Sequence, residues 1–342
     1  MKRTCIIVVL LCLVGLFACK KETTAFFVGF KKPTNFPDPV YNLSNNAITA
    51  DGFELGKSLF YDPILSVNNT ISCGSCHIQS SAFTHHGHGV SHGIFDRMGT
   101  RNSPPIMNLA WGASFMWDGG IFDLDLQAIA PITNHVEMGE TMVAVLQKLN
   151  ASTKYQSMFK KAFGTEEITT SKFLKALSQF MLLCVSSNSK YDSIMRREGS
   201  VVFTTDEQEG YLLFKQKCNS CHAEPLFTDN TFRNNGIGVG HINDSGRYLI
   251  TQNEVDLYKF KVPSLRNLAY TAPYMHDGRF FTLDAVFDHY TNGVQNTANL
   301  DQLLQENGNL GMAITADEKE KLKAFLNTLN DQRFLLDKRF SE

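Results

Sequence analysis

Thr315-x-x-Glu318 is followed by Leu322, Phe325, Leu326 and Leu329, which fall on one face at helical spacing. The pattern predicts an amphipathic helix whose first turn is closed by a capping box between Thr315 and Glu318. Two further helices are predicted around Gly56-x-x-x-Phe60 and Gly210-x-x-x-Phe214, where the small residue lets a second helix come close. The later helices of the chain are the expected partners. The apolar run Phe180-Met181-Leu182-Leu183-Cys184-Val185 predicts a buried segment, with Cys184 acting as a small hydrophobe. Little β-structure is suggested.

At the N-terminus the pattern changes. Lys2 and Arg3 precede an uncharged stretch, Cys5 to Ala18, whose 14 residues are too few to span a bilayer. A basic start, a short apolar core and a small residue before the cut predict a signal peptide over residues 1–18, the alternative being an uncleaved membrane anchor. Leu16-Phe17-Ala18-Cys19 matches a bacterial lipobox, so Cys19 is the expected lipidated residue. Residues 19–46, rich in Lys, Asn, Thr and Pro, read as a lipoprotein tether. The expected location is the periplasmic side or cell envelope, with the membrane reached only through the N-terminal lipid.

Removing 18 of 342 residues leaves 324, enough for two domains, expected at 47–197 and 198–342. Charged residues are balanced, 32 basic against 34 acidic, which gives no electrostatic reason to expect a nucleic-acid partner. The eight cysteines carry more information. Four of them form Cys73-Gly74-Ser75-Cys76-His77 and Cys218-Asn219-Ser220-Cys221-His222. Each is a C-x-x-C-H, in which two thiols can add to the vinyl groups of one haem while the adjoining histidine ligates the iron. Two covalent haem c groups are expected, with His77 on iron 1 and His222 on iron 2.

The halves repeat one another. Pro104, Asn108, Leu109, Ala110, Met116, Asp118, Gly119, Leu124 and Asp125 recur 159 positions later as Pro263, Asn267, Leu268, Ala269, Met275, Asp277, Gly278, Leu283 and Asp284. The expected fold is therefore mostly α, two tandem cytochrome c-like helical domains with long loops, related by internal duplication. The same offset sets Tyr290 opposite Pro131. Proline cannot ligate iron, so haem 2 is expected to be closed by Tyr290 while haem 1 keeps an open position. His289 and Met275 are rival ligands, and Tyr290 as a packed aromatic is the plain alternative.

Over about residues 50–330 the chain resembles the bacterial di-haem cytochrome c peroxidase family, including the branch that matures tryptophan tryptophylquinone. The matching stretches are Leu55–Pro63, Ile71–His77, Gly99-Thr100-Arg101-Asn102-Ser103-Pro104, Trp117-Asp118-Gly119, Asn134-His135-Val136-Glu137-Met138, Lys261–Asn267 and Ala272–Gly278. The resemblance implies a cytochrome-c peroxidase that reduces hydrogen peroxide to water at the N-terminal haem, with electrons entering through the C-terminal one. It implies Glu137 as distal acid and base, Gln127 as its hydrogen-bonding companion and Trp117 as an aromatic relay between the haems. It also implies calcium held by Asn102 and the carbonyls of Thr271 and Pro273. A small cytochrome c, a cupredoxin or a quinol would donate electrons, and a homodimer is compatible with the pattern.

Two departures matter. Where conventional members carry a histidine that blocks the peroxidatic haem, the register here has Ile94, with His92 two residues earlier and His85, His86 and His88 in the same loop. An open first haem is expected unless one of these swings in; a solvated loop is the plain reading of all four. Tyr290 stands where conventional members have Met, as in the quinone-maturing branch. The alternative functions are therefore a peroxide-dependent oxidase modifying a partner protein's side chain, and a non-catalytic di-haem electron carrier.

Overall fold

The computed structural model describes residues 27–238, 240, 243–306 and 308–342. The expected signal peptide, Cys19 and the start of the tether lie outside these residues. Among the described residues no helix is long and apolar enough to cross a membrane.

The fold is mostly helical. Among the described residues there are twelve α-helices: α1 (Ala50–Tyr61), α2 (Cys73–Cys76), α3 (Ile129–Thr133), α4 (Met142–Asn150), α5 (Thr153–Phe163), α6 (Thr170–Leu183), α7 (Lys190–Met195), α8 (Thr205–Lys217), α9 (Tyr248–Thr251), α10 (Leu283–Asp288), α11 (Ala316–Asn327) and α12 (Gln332–Leu335). The strands are short: β1 (Phe232–Arg233) pairs antiparallel with β2 (Phe260–Lys261), and β3 (Gln305–Glu306) with β4 (Asn309–Leu310).

Two helix pairs build the two cores. In the first, α1 lies so close to α6 that a Cβ on Gly56 would collide with the Ala176 carbonyl. In the second, α8 meets α11 with Gly210 against the Lys321 carbonyl. Aromatic packing repeats as well, Phe60 on Phe180 at 4.8 Å and Phe214 on Phe325 at 5.0 Å. α11 starts as expected, with the Thr315 hydroxyl accepting from the Glu318 amide at 3.2 Å and the Glu318 carboxylate from the Thr315 amide at 2.8 Å. Its Leu322, Phe325 and Leu326, with the following Leu329, are buried beside Phe214 and Phe227. Cys184 is a free, buried thiol at the end of α6, in keeping with a packing role.

The duplicated segments superpose in conformation. Phe115 pairs with Ile121 and Tyr274 with Phe280, closing matching hairpins. At equivalent places Asn108 and Asn267, Met116 and Met275, and Gly119 and Gly278 all have positive φ. Both asparagines pin the chain leaving the later helix of each pair: Asn108 Nδ2 donates to the Ser186 carbonyl at 3.0 Å, and Asn267 Oδ1 accepts from the Asp331 amide at 2.7 Å.

Two boundaries differ from the sequence reading. Residues 27–46 are no free tether. Phe36 is buried edge-on against Trp111 at 5.0 Å, Trp111 Nε1 donates to the Pro37 carbonyl, and the Tyr41 hydroxyl donates to Asp125. The polar and proline-rich composition concealed aromatic anchors, each with enough apolar area to hold the segment down. At the other end, Phe334, Leu335 and Phe340 join the first core, not the second, and the Tyr61 hydroxyl donates to the Phe340 carbonyl at 2.6 Å. Tyr191, from the first half of the chain, belongs to the second core. The units thus exchange their terminal segments.

Candidate functional site

Each C-x-x-C-H opens where a helix and a loop meet. Cys73 and Cys76 bound the one-turn helix α2, entered through a capping box between Ser72 and Ser75. Cys218 caps α8, and the His222 amide donates to its carbonyl at 2.9 Å. All four thiols are free. Burial, with smaller contributions from Cys76 and Glu137, pushes Cys73 up to about 12. Burial, then Cys221, does the same to Cys218. A redox dithiol centre works through a lowered thiol pKa, the opposite direction to the shifts at Cys73 and Cys218.

The two histidines are oriented alike. His77 Nδ1 lies 2.7 Å from the Phe83 carbonyl, and His222 Nδ1 lies 3.2 and 3.1 Å from the carbonyls of Phe227 and Pro263. A nitrogen facing a carbonyl carries the proton, which leaves the Nε2 lone pair for a metal and fixes the ring. Burial keeps both rings neutral, His77 down to about 4. Beside His77, the buried His85 Nδ1 has no hydrogen-bond partner among the described residues. Thiol spacing and oriented histidines fit a covalently held haem in each unit, and the orphaned nitrogen lies beside the first.

Over the first motif stands Glu137, close enough for its charge to bear on both Cys73 and Cys76. Burial raises its pKa, opposed by a 2.7 Å hydrogen bond from Asn134 Nδ2. Among the described residues no hydrogen bond joins Gln127, its expected companion, to Glu137. The Gln127 amide points toward Met116 Sδ at 3.9 Å, and among the described residues Asn134 is the side chain bonded to Glu137. The Asn134-x-x-Glu137 turn explains this, because the Glu137 amide also donates to the Asn134 carbonyl and brings the two side chains together. Pro131 lies in α3, just before this turn.

Ile94 is locked in place. Its amide donates to the Glu137 carbonyl at 2.8 Å and its side chain is buried against Gly139. Gly93 makes the close approach possible, since a Cβ there would strike the carbonyls of Val136 and Glu137. His92 turns to Asp96, Nδ1 to Oδ1 at 2.7 Å, and His88 stacks on His85 at 4.7 Å.

In the second unit, Tyr290 lies in the helical turn His289–Gly293 after α10, with its side chain beside Cys221 and Cys218. Burial raises it to about 12, while a hydrogen bond with Asn235 lowers it. Asn235 engages both rivals as well: its carbonyl meets His289 Nε2 at 3.0 Å and its Nδ2 lies 3.5 Å from Met275 Sδ. Nothing in the sequence pattern singled out Asn235, which belongs to no repeat or motif.

Between the units, Trp117 Nε1 donates to the Asn102 carbonyl at 2.8 Å and its own carbonyl accepts from the Lys261 amide at 2.7 Å. Asn102 is buried, and its amide donates to the His276 carbonyl, which sets it against the loop that carries Thr271 and Pro273. Arg101 bridges Asp118 of one unit and Asp244 of the other.

Paired helical units, each offering two thiols and an oriented histidine to a prosthetic group, define a c-type di-haem redox protein. Residues 50–200 match the family model described as di-haem cytochrome c peroxidase. The chain is 34% identical to the methylamine utilization protein MauG of Methylorubrum extorquens, over 91% of this chain and 86% of that one. It is 35% identical to the cytochrome c551 peroxidase of Nitrosomonas europaea, over 82% and 80%. A crystal structure of a MauG-like protein associated with microbial copper homeostasis superposes with a TM-score of 0.80 at 31% identity, covering 92% of this chain and 99% of that one. The chain belongs to the di-haem cytochrome c peroxidase family, whose members carry two haem c groups.

Proposed function

We propose that the chain is a peroxidase that reduces hydrogen peroxide to water at the first site, with Glu137 moving the protons. Cys73, Cys76 and His77 hold one haem and Cys218, Cys221 and His222 the other. Haem c, when bound, supplies an iron that exchanges single electrons. Peroxide has to lose a proton as it enters and its departing oxygen has to gain one as it leaves. A desolvated carboxyl group with a raised pKa can take the first and return it. Asn134 holds that carboxyl in place. Gln127, whose amide points toward Met116 Sδ, would complete the polar lining.

The observation that carries this reading is Glu137 standing over the Cys73–Cys76 motif, with Ile94, not a histidine, fastened beside it. It supports an open first haem as isolated, with His92 held by Asp96. Electrons from a small cytochrome c, a cupredoxin or a quinol would enter through the second haem and pass by Trp117. Calcium at Asn102, Thr271 and Pro273 would brace that junction with the hard oxygen ligands it prefers. Export and a lipid on Cys19 would put the enzyme in the cell envelope. Steady-state peroxide consumption tests the role of Glu137: Glu137→Gln is expected to lower kcat by about 10²–10⁴-fold with both haems retained. Unchanged turnover would remove Glu137 from the chemistry.

A second reading, oxidation of a side chain on a partner protein, is favoured by Tyr290 at the second haem and by the MauG relative. Tyr290 as ligand is checked by Tyr290→Phe, which is expected to alter the low-spin electron paramagnetic resonance signal and lower-energy bands of the second haem. An unchanged spectrum would return the position to His289 or Met275.

A further inference from the structure

A partly open cavity lies where the two units meet, and its lining includes Trp111, Met116, Trp117, Thr228, Asn230 and Lys261. Among the described residues Lys261 is the one titratable side chain in that lining. Its Nζ donates to the Ser114 carbonyl at 2.9 Å and lies 5.9 Å from the centre of the Phe115 ring. Among the described residues it forms no ion pair with a carboxylate.

The charged groups around it are already matched. From the hairpin, Asp118 pairs with Arg101, which also pairs with Asp244. On β1, the partner strand, Arg233 pairs with Asp229 and Asp301. On its own segment, Lys259 faces Asp256, and His276 stacks on Phe260 at 3.7 Å. Arg247 lies over Phe232 and donates to the Asp118 carbonyl. Among the described residues none of these carboxylates pairs with the Lys261 ammonium.

Its backbone links the parts that electrons would cross. The Lys261 amide is bonded to the Trp117 carbonyl, and two residues on, the Pro263 carbonyl faces His222 Nδ1. We propose that Lys261 is a redox-linked proton site, its Nζ taking a proton from solvent when an external donor's electron enters the haem pair and returning it when the electron leaves. The inference rests on the di-haem reading above.

Electron and proton are thermodynamically linked. An electron added nearby stabilises the ammonium, and by reciprocity the ammonium favours the reduced state. Burial alone brings Lys261 down to about 8, within reach of such a switch at ordinary pH. Without the added electron the neutral amine is favoured as pH rises, so the reduction potential should fall with rising pH through that region.

Potentiometric titration of the holoprotein, followed by haem absorbance from about pH 6 to about pH 10, tests this. At fixed applied potential the ratio of reduced to oxidised haem in the wild type should drop by up to about tenfold per pH unit near the Lys261 transition. In Lys261→Met the slope should vanish, with the ratio fixed near its alkaline value. In Lys261→Arg, which keeps the cation and cannot release it, the ratio should stay near its acid value. A flat wild-type titration, or a slope that survives in both variants, would overturn the proposal. Absence of two covalent haems in the same preparations would instead strike the di-haem reading itself.

Discussion

Glu137 and Asn134 sit three residues apart, and that spacing decides how the carboxyl behaves. Desolvation pushes the Glu137 pKa up; the Asn134 amide favours the ionised form and limits the rise. Removing the amide in Asn134→Ala should push the Glu137 pKa further up. Because the base form of Glu137 is needed to accept the first proton, the acid limb of the kcat/KM profile for peroxide should then move to higher pH. An acid limb that stays in place, or moves down, would mean that Glu137 does not control it. The family motif pointed to Glu137, but nothing in the sequence pointed to the hydrogen bond that Asn134 makes to it. A hydrogen bond depends on where a turn directs two side chains, and only the fold shows the Asn134–Glu137 turn closing on itself. Asn235 escaped for a related reason. It touches Tyr290, His289 and Met275 by lying across from them in space, from a segment with no periodicity to mark it.

The helices were more legible, because their signals are local and occur twice. The glycines of Gly56-x-x-x-Phe60 and Gly210-x-x-x-Phe214 predicted close helix pairs, and both meet a carbonyl of the facing helix. Gly56→Ala gains the better helix propensity of alanine but must move α1 away from α6. Overpacking of this kind costs about 1–3 kcal/mol, more than the gain of up to about 1 kcal/mol from propensity. The variant should unfold at lower denaturant with an unchanged m-value, and Gly210→Ala should do the same through α8 and α11. Wild-type stability in both would show that the helices can separate freely. The matching positive φ values at Asn108 and Asn267 and at Met116 and Met275 were foreshadowed by the repeat but not readable from it, since asparagine and methionine also occur in ordinary conformations.

Across the whole molecule, composition misled where packing is long-range. Residues 27–46 look like a linker by residue type yet pack through Phe36 and Tyr41, and the C-terminal Phe334 and Phe340 cross to the first core. These exchanges, with the Arg101 bridge between Asp118 and Asp244, tie the two units so that Trp117 is held at their junction. Fixed spacing between two redox centres is what an electron relay requires, and it leaves the first site free to differ from the second. That asymmetry is the centre of the account: Glu137 and a fastened Ile94 on one side, Tyr290 and Asn235 on the other. Stopped-flow mixing of the fully oxidised, as-isolated holoprotein with hydrogen peroxide tests it most directly. An immediate change in the absorbance of the first haem, without prior reduction and strongly slowed in Glu137→Gln, is the expected result. A reaction seen only after half-reduction, or none in either form, would contradict an open peroxide site.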